Sequence, residues 1–263
     1  MPKVFVVGET CIDRFVYGKC TRICPEAPVP VFQPLRETKN NGMSGNVVEN
    51  LRSLGISCQG FHNRKPFPVK TRYVGETSDQ MLLRVDEEDE ALPFNAFEDL
   101  LGEIEKKKPD AVVVSDYNKG FLSEEQIQSI GSLHPYTFLD TKKIIGEWCQ
   151  TAFSFIKINQ NEFERTTRLN PKFSMYPNMI VTLGKGGCMF KGETFQVKQA
   201  EVMDVAGAGD TFLAGLVAHF CHYRNIRAAI GFANLCASYV VTKRGVTSVF
   251  PQEILDILAN FEK

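Results

Sequence analysis

"AEVMDVAGAGDTFLAGLVAHF", residues 200–220, sets Gly-Ala-Gly-Asp at the mouth of a long apolar helical pattern. A helix N-terminus leaves backbone N–H groups unpaired, and its dipole favours an anion there. Glycines at 207 and 209 let a large anion come close to the backbone. Those features describe a phosphate cradle. Asp210 conflicts with it, because a carboxylate repels phosphate. The conflict resolves if Asp210 faces the hydroxyl that attacks the phosphoryl group. It then accepts the hydroxyl proton while the helix amides take up charge on the transferring group. The competing reading is a flexible turn followed by a helix that Asp210 or Thr211 caps. No G-x-x-x-x-G-K-[ST] stretch occurs, which argues against a P-loop enzyme.

Outward from this helix, the chain alternates strands and helices. The apolar run 3–8 ends in glycine and reads as a strand buried on both faces. Residues 44–55 open with Ser44, close with Gly55 and carry Val47, Val48, Leu51 and Leu54 on one face, which predicts a helix. Strands at 69–76 and 80–88 form a hairpin around 77–79. Helices at 96–107, 123–131 and 161–167 alternate with strands at 110–116, 136–140, 153–158 and 178–183. Short strands near 187–190 and 194–198 make a second hairpin. Helices at 208–223 and 226–242 follow, with a short one after Pro251. This order predicts an α/β fold, a mostly parallel sheet covered by helices on both faces. Segment 14–40 differs: "TRICPEAPVPVF" (21–32) holds three prolines and cannot be a central strand. With 69–88 it is expected to form a small β lid. The expectation is one domain over 1–263.

Composition narrows the function classes. The chain has 263 residues and a net charge of −1, with no basic stripe, so nucleic acid is not an expected partner. The acidic run "DEEDE" (86–90) reads as a solvated turn. The N-terminal apolar run is too short for a signal peptide, and no stretch is long enough to span a membrane. Eight cysteines without a CxxC pair suit reduced thiols. A metal site at His219, Cys221 and His222 is disfavoured, because only the two histidines have the spacing of helix-surface neighbours. A cytoplasmic protein is expected.

Other polar residues fall where open α/β sheets bind ligands, at strand ends and helix starts. Asp13 follows strand 3–8. Asn46 sits in a first helical turn beside Gly42 and Gly45. Asn159 and Glu162, three apart past a strand, suit either the waters of a magnesium ion or a helix cap. "VTLGKGG" (181–187) reads as a nucleotide floor or an ordinary turn. The shared placement of Asp13, Asn46, Asn159, Thr182 and Asp210 outweighs any one of them.

These motifs resemble the ribokinase-type (PfkB) sugar kinase family. "DVAGAGDTFLAG" (204–215) is similar to the family's D-T-x-G-A-G-D-x-F-x-x-G, with Val205 in place of threonine. "GMSGNVVENLRSLG" (42–55) is similar to G-G-x-x-N-x-A-x-x-L-x-x-L-G, and "NQNE" (159–162) to N-x-x-E. "DRFVYGKCTRICPEAPVPVF" (13–32), "VKTRYVGETSDQMLLRVDEED" (69–89), "VVVSDYNKGFLS" (112–123) and "LDTKK" (139–143) resemble segments of the family's heptose 7-phosphate kinases. The resemblance implies a ribokinase-like fold, ATP and Mg²⁺ as cofactors, and a sugar phosphate as substrate. It implies Asp210 as catalytic base and the amides of Gly207, Ala208 and Gly209 as anion hole. Asp13 and Asn46 would hold sugar hydroxyls, Asn159 and Glu162 would order magnesium's waters, and Thr182, Gly184 and Gly187 would line the ATP site. Lys157 and Lys142 would lie near phosphates. Arg14, Arg72 and Arg84 are candidates to clamp the substrate's phosphate, as bidentate guanidinium suits that task, or else cover a solvated lid. The lid strands of the family often pair between subunits, which implies a homodimer.

Three departures from the pattern bear on function. Met43 replaces the second glycine. The chain passes from 57–62 to 70–74 without a further strand and helix of about 30 residues, the usual size of such units. No nucleotidyltransferase half accompanies the kinase segments, so a second reaction is expected of another protein. The connection 165–178 is short as well. A kinase for fructose, ribose or a nucleoside is one rival expectation, and a ligand-binding relative with poor turnover is the rival from another functional class.

Overall fold

The computed structural model describes residues 1–77, 80–171, 176–197 and 201–254. β1 (Lys3–Gly8) leads into two long strands, β2 (Thr10–Ile23) and β3 (Pro30–Met43), then α1 (Ser44–Ser53) and β4 (Ser57–Phe61). The hairpin strands β5 (Val69–Gly75) and β6 (Met81–Glu87) follow, with α2 (Phe97–Lys107), β7 (Ala111–Asp116), α3 (Glu124–Leu133) and β8 (Thr137–Thr141). A short α4 (Glu147–Gln150), β9 (Phe155–Asn159), α5 (Gln160–Leu169) and β10 (Met179–Thr182) come next. β11 (Cys188–Phe190), β12 (Glu193–Phe195), α6 (Ala208–Tyr223) and α7 (Ile226–Val240) complete the set. The expected helix after Pro251 begins at 251–254, and its remainder lies outside the described residues.

The main sheet has the order β12-β11-β10-β9-β8-β7-β1-β4. Its neighbours from β10 to β4 run parallel, and only β11 and β12 are antiparallel. Alternation along β1 sorts the core into two layers. Val4 and Val6 pack with Val47, Leu51, Leu213, Leu216 and Ile230 of α1, α6 and α7. Phe5 and Val7 face the other way, toward Leu100, Ile104, Ile127 and Ile130 of α2 and α3. Both sheet faces are therefore covered, and α6, buried on nearly every side, explains why its sequence lacks a polar stripe.

The lid is a separate sheet of order β3-β2-β5-β6. Segment 14–40 contributes most of its two long strands. The proline restriction still applies: β2, which is central, contains none, and β3, at the edge, begins at Pro30 and carries Pro34 opposite Gly18, where the register shifts. β4 escaped the sequence pattern because its residues are all half-buried at the sheet edge beside β1. The chain then passes from β4 to the lid in seven residues, 62–68. The hairpin turn at 78–79 lies outside the described residues, as does residue 198 of the second hairpin.

α1 enters through an unusual backbone. Met43 precedes it at φ 57° and ψ −134°, in the left-handed half of conformational space, and is buried. The position where the resembling family has glycine keeps a backbone that favours glycine.

Candidate active site

Asp210 stands in the first turn of α6, buried by α1 and by the loop after β7. Its Oδ2 accepts a hydrogen bond from Asn46 Nδ2 at 3.0 Å, and its Oδ1 accepts one from the Tyr117 hydroxyl at 2.6 Å. Asn46 is itself held. Its Oδ1 accepts from Asn50 Nδ2 at 2.9 Å, and Asn50 Oδ1 accepts from Thr211 Oγ1 at 3.3 Å. Gly207 closes the turn in the left-handed conformation, φ 77°, and a Cβ there would stand 2.7 Å from Asn46 Nδ2. Only glycine serves both demands.

Despite these bonds, Asp210 opens onto a cavity of about 670 Å³ lined by Lys157, Asn159, Thr182, Gly184, Gly187 and the turn 207–209, among others. Burial pushes its carboxyl up to about 6. The donors Tyr117 and Asn46 pull it back, Asp140 raises it and Lys157 lowers it. The Lys157 ammonium pairs with Asp140 at 2.7 Å, both buried, and lies so near Gly209 that a Cβ there would approach it to 3.2 Å. A fixed positive charge therefore adjoins the N-terminal turn of α6, where the helix dipole adds to it; of the expected anion-hole amides, that of Ala208 instead donates to the Val205 carbonyl at 3.3 Å, closing the turn. Val197, Val202, Val205, Ala237 and Val241 give the same cavity an apolar rim, with Val202 and Val205 exposed. The lining thus combines charge that suits a polyanion with apolar surface that suits a flat ring.

Asn159 and Glu162 adopt the cap geometry. Glu162 N donates to Asn159 Oδ1 at 2.9 Å, and Glu162 Oε2 accepts from Asn159 N at 2.8 Å. Glu162 Oε1 also accepts from Asn159 Nδ2 and pairs with Lys142. Among the described residues, no group of three or more His, Cys, Asp or Glu side chains is placed to hold a metal ion. The donor set fits a cation that keeps its waters, as magnesium does. Asp140 Oδ1, buried, is without a hydrogen-bond partner, 3.9 Å from Lys142 Nζ, on a residue that lines the cavity. Burial would raise the Asp140 carboxyl, but Lys157 and Lys142 outweigh it and hold it low.

The lid places the remaining candidates on two different faces. Asp13 is buried and ion-paired with Arg72, whose guanidinium also lies 5.0 Å from the Phe15 ring. Burial, with Asp13 and to a lesser degree Asp210 adding to it against Lys70 and Arg72, pushes the Cys11 thiol up to about 12. Arg84 stands opposite Arg72 on the neighbouring strand and binds Asp86 through two contacts, 2.7 and 2.6 Å. Arg14 requires correction. Successive strand residues point to opposite faces, so Arg14 projects away from Asp13, and it bonds Thr71 Oγ1 at 2.9 Å and Glu87 at 3.3 Å. It belongs to the outer face of the lid rather than to a substrate clamp.

Three residues that the motifs did not single out belong to the site: Tyr117, Asp140 and Asn50. Tyr117 and Asp140 lie at the carboxyl ends of β7 and β8, the same signal that marked Asp13. Among the described residues, no helix is long and apolar enough to cross a membrane.

A model of the pfkB family carbohydrate kinases matches residues 143–253. The bifunctional protein HldE of Helicobacter pylori (strain ATCC 700392 / 26695) is 31% identical over 320 residues, covering 98% of this chain and 67% of that protein. HldE of a Nitratiruptor species is 31% identical over 304 residues, covering 96% and 64%. The chain thus spans about two thirds of the length of the curated relatives it matches. Among solved structures, ribokinase from Thermotoga maritima superimposes with a TM-score of 0.77 at 16% identity, covering 99% of this chain and 100% of the other. Ribokinase of Arabidopsis thaliana, complexed with ribose and ATP, gives 0.67 at 15%, covering 98% of each. The fold is ribokinase-like.

Proposed function

Because the chain belongs to the pfkB family of carbohydrate kinases, a family that uses ATP, we propose that it transfers the γ-phosphoryl group of ATP to a sugar phosphate, heptose 7-phosphate at its anomeric hydroxyl. The observation that carries this reading is Asp210 lining the cavity, in the first turn of α6 beside the glycine turn and the Lys157 ammonium. ATP lies with its base at the apolar rim and its phosphates toward residues 207–209. The acceptor hydroxyl gives its proton to Asp210 as its oxygen attacks phosphorus in line. The amides of Gly207 and Gly209, with Lys157, stabilise charge on the transferring group. Arg72 orients Asp13 toward the sugar, and Arg84 lies on the same inward face. Asn159, Glu162 and Asp140 would hold a magnesium ion through its waters, and the ion would neutralise phosphate charge.

The HldE relatives support the heptose substrate, as does the lid sequence around 13–32. The test is ADP release from Mg-ATP with a panel of sugars and sugar phosphates. Asp210→Asn is expected to cut turnover by about 10²- to 10⁴-fold, the usual yield of a positioned base, while calorimetry still detects Mg-ATP binding. Near-normal turnover in that variant would remove Asp210 as base. The short β4-to-lid passage favours a second reading, a sugar or nucleotide sensor. Binding without ADP release across the whole panel would establish it. The exposed apolar residues of the outer lid face support pairing with a second copy of the chain.

A further inference from the structure

Asp210 must offer an acceptor hydroxyl a lone pair at a fixed angle, so what sets its rotation matters. A carboxylate presents about four lone-pair sites. Asn46 takes one on Oδ2, and the Tyr117 hydroxyl takes one on Oδ1. The two donors approach from different elements, α1 and the loop after β7, and together they fix the plane of the group. One site on each oxygen is left for the acceptor.

Tyr117 is placed with comparable care. Glu9, fully buried, accepts from the backbone N–H of Tyr117 at 2.8 Å and from that of Lys119 at 2.9 Å. Asp116 accepts from Asn118 N at 3.3 Å and pairs with Lys143 at 3.1 Å. The Tyr117 ring has Lys70 Nζ 5.5 Å and Lys142 Nζ 5.3 Å from its centroid, within range of cation–π attraction. Burial first, and Asp210 and Asp140 after it, push the phenol well above its usual range. The hydroxyl therefore stays protonated and remains a donor.

We propose that Tyr117 is the positioning residue of Asp210: its hydroxyl fixes the carboxylate's rotation and holds the group ionised for proton acceptance. The catalytic consequence rests on the reading of Asp210 as base, while the placement of the carboxylate does not. The titratable and charged groups facing Asp210 are Tyr117, Asp140 on β8, Lys157 on β9, Lys142 after β8 and Cys11 on β2; α1 contributes only the neutral Asn46. Tyr117 is the titratable side chain among these that donates a hydrogen bond to the carboxylate.

Tyr117→Phe keeps the ring between the two ammonium groups and deletes only the donor. A hydrogen bond to a charged group is worth enough to move a carboxyl by about one to two pH units when removed. Carbon-13 NMR of labelled aspartate, with Asp210→Asn identifying the resonance, is expected to show Asp210 titrating higher by that amount in Tyr117→Phe. The acid limb of kcat/KM should follow it, and kcat at pH 7 should fall about two- to tenfold, the loss of ionised carboxyl at that shift, with Mg-ATP affinity unchanged. An unmoved carboxyl titration overturns the inference. A displaced titration with an unmoved acid limb overturns its catalytic part. Should Tyr117→Phe fail to fold, 3-fluorotyrosine incorporation keeps every ring and makes the phenol a better donor, so Asp210 must then titrate lower. Normal turnover in Asp210→Asn would sink the base reading alone, since the NMR titration judges Tyr117 without any substrate.

Discussion

Asp210 is held ionised at a cost to stability. Its carboxyl sits at about 6 in the folded chain against 3.8 in an exposed reference, and burial is the main cause. A carboxyl raised on folding stabilises the fold below its unfolded value, and that contribution is lost as pH climbs through the folded value. The window here is from about 4 to about 6. Above it, the ionised group costs up to about 3 kcal/mol, at 1.36 kcal/mol per unit. Asp210→Asn is therefore expected to melt higher than the parent at pH 8 and no higher at pH 4. Thermal melts across this range measure it, and a difference independent of pH would mean that Asp210 titrates normally. At the same scale, sequence exposed Asp210 through its glycines, but Tyr117 could not be tied to it. The two are 93 positions apart, and their bond depends on a loop conformation that Glu9 imposes from beneath.

The entry to α1 shows how an element accommodates a departure from the family pattern. Met43 keeps φ 57° and ψ −134° while filling a buried site, and no side chain caps the helix. A backbone of this kind costs a non-glycine residue about 1–3 kcal/mol, whereas the buried side chain returns about 1.5–3 kcal/mol. The two nearly cancel, which is why methionine is tolerated. Met43→Ala keeps the strain and loses the packing, so it should cost about 2–5 kcal/mol. Met43→Gly loses the packing but also the strain. Urea denaturation should find the glycine variant more stable than the alanine variant by about 1 kcal/mol or more, the reverse of their usual order. Alanine equal to or better than glycine would show that the backbone relaxes around methionine. Elements of the main sheet were legible because buried strands such as β1 and β7 read as unbroken apolar runs. β2, β3 and β4 were not. Their exposure is set by partners distant in sequence: β2 buries alternate residues from Cys11, but these include the charged Asp13, β3 is exposed over most of its length, and β4 is half-buried throughout.

At the scale of the molecule, the lid is a two-faced sheet with contrasting chemistry. Its inner face carries Asp13, Lys70, Arg72 and Arg84, and Asn40 ties its edge to the body by donating to the Val246 carbonyl at 3.1 Å. Its outer face carries Tyr73, paired with Leu83, and Val85, paired with Thr71, with Phe32 edge-on to Tyr73 at 5.3 Å. Leu83 is 57% exposed and Val85 37%. A monomer gains nothing by presenting branched apolar side chains along a sheet edge, and such an edge invites another strand or sheet. The assignment of faces could not be read from sequence, because a shift of one residue in register exchanges them. Arg14 shows the consequence, standing one position from Asp13 and on the opposite side. A homodimer through this face makes a definite demand. Leu83→Lys with Val85→Lys should convert the protein from dimer to monomer in sedimentation velocity at micromolar concentration, with the melting temperature of the main domain little changed. The inner face is untouched by these substitutions, so Mg-ATP binding should persist. Affinity for the sugar substrate should fall if pairing stiffens the lid over the cavity. A parent chain that sediments as a monomer at the same concentration would end the dimer reading, and the exposed leucine and valine would then need another partner.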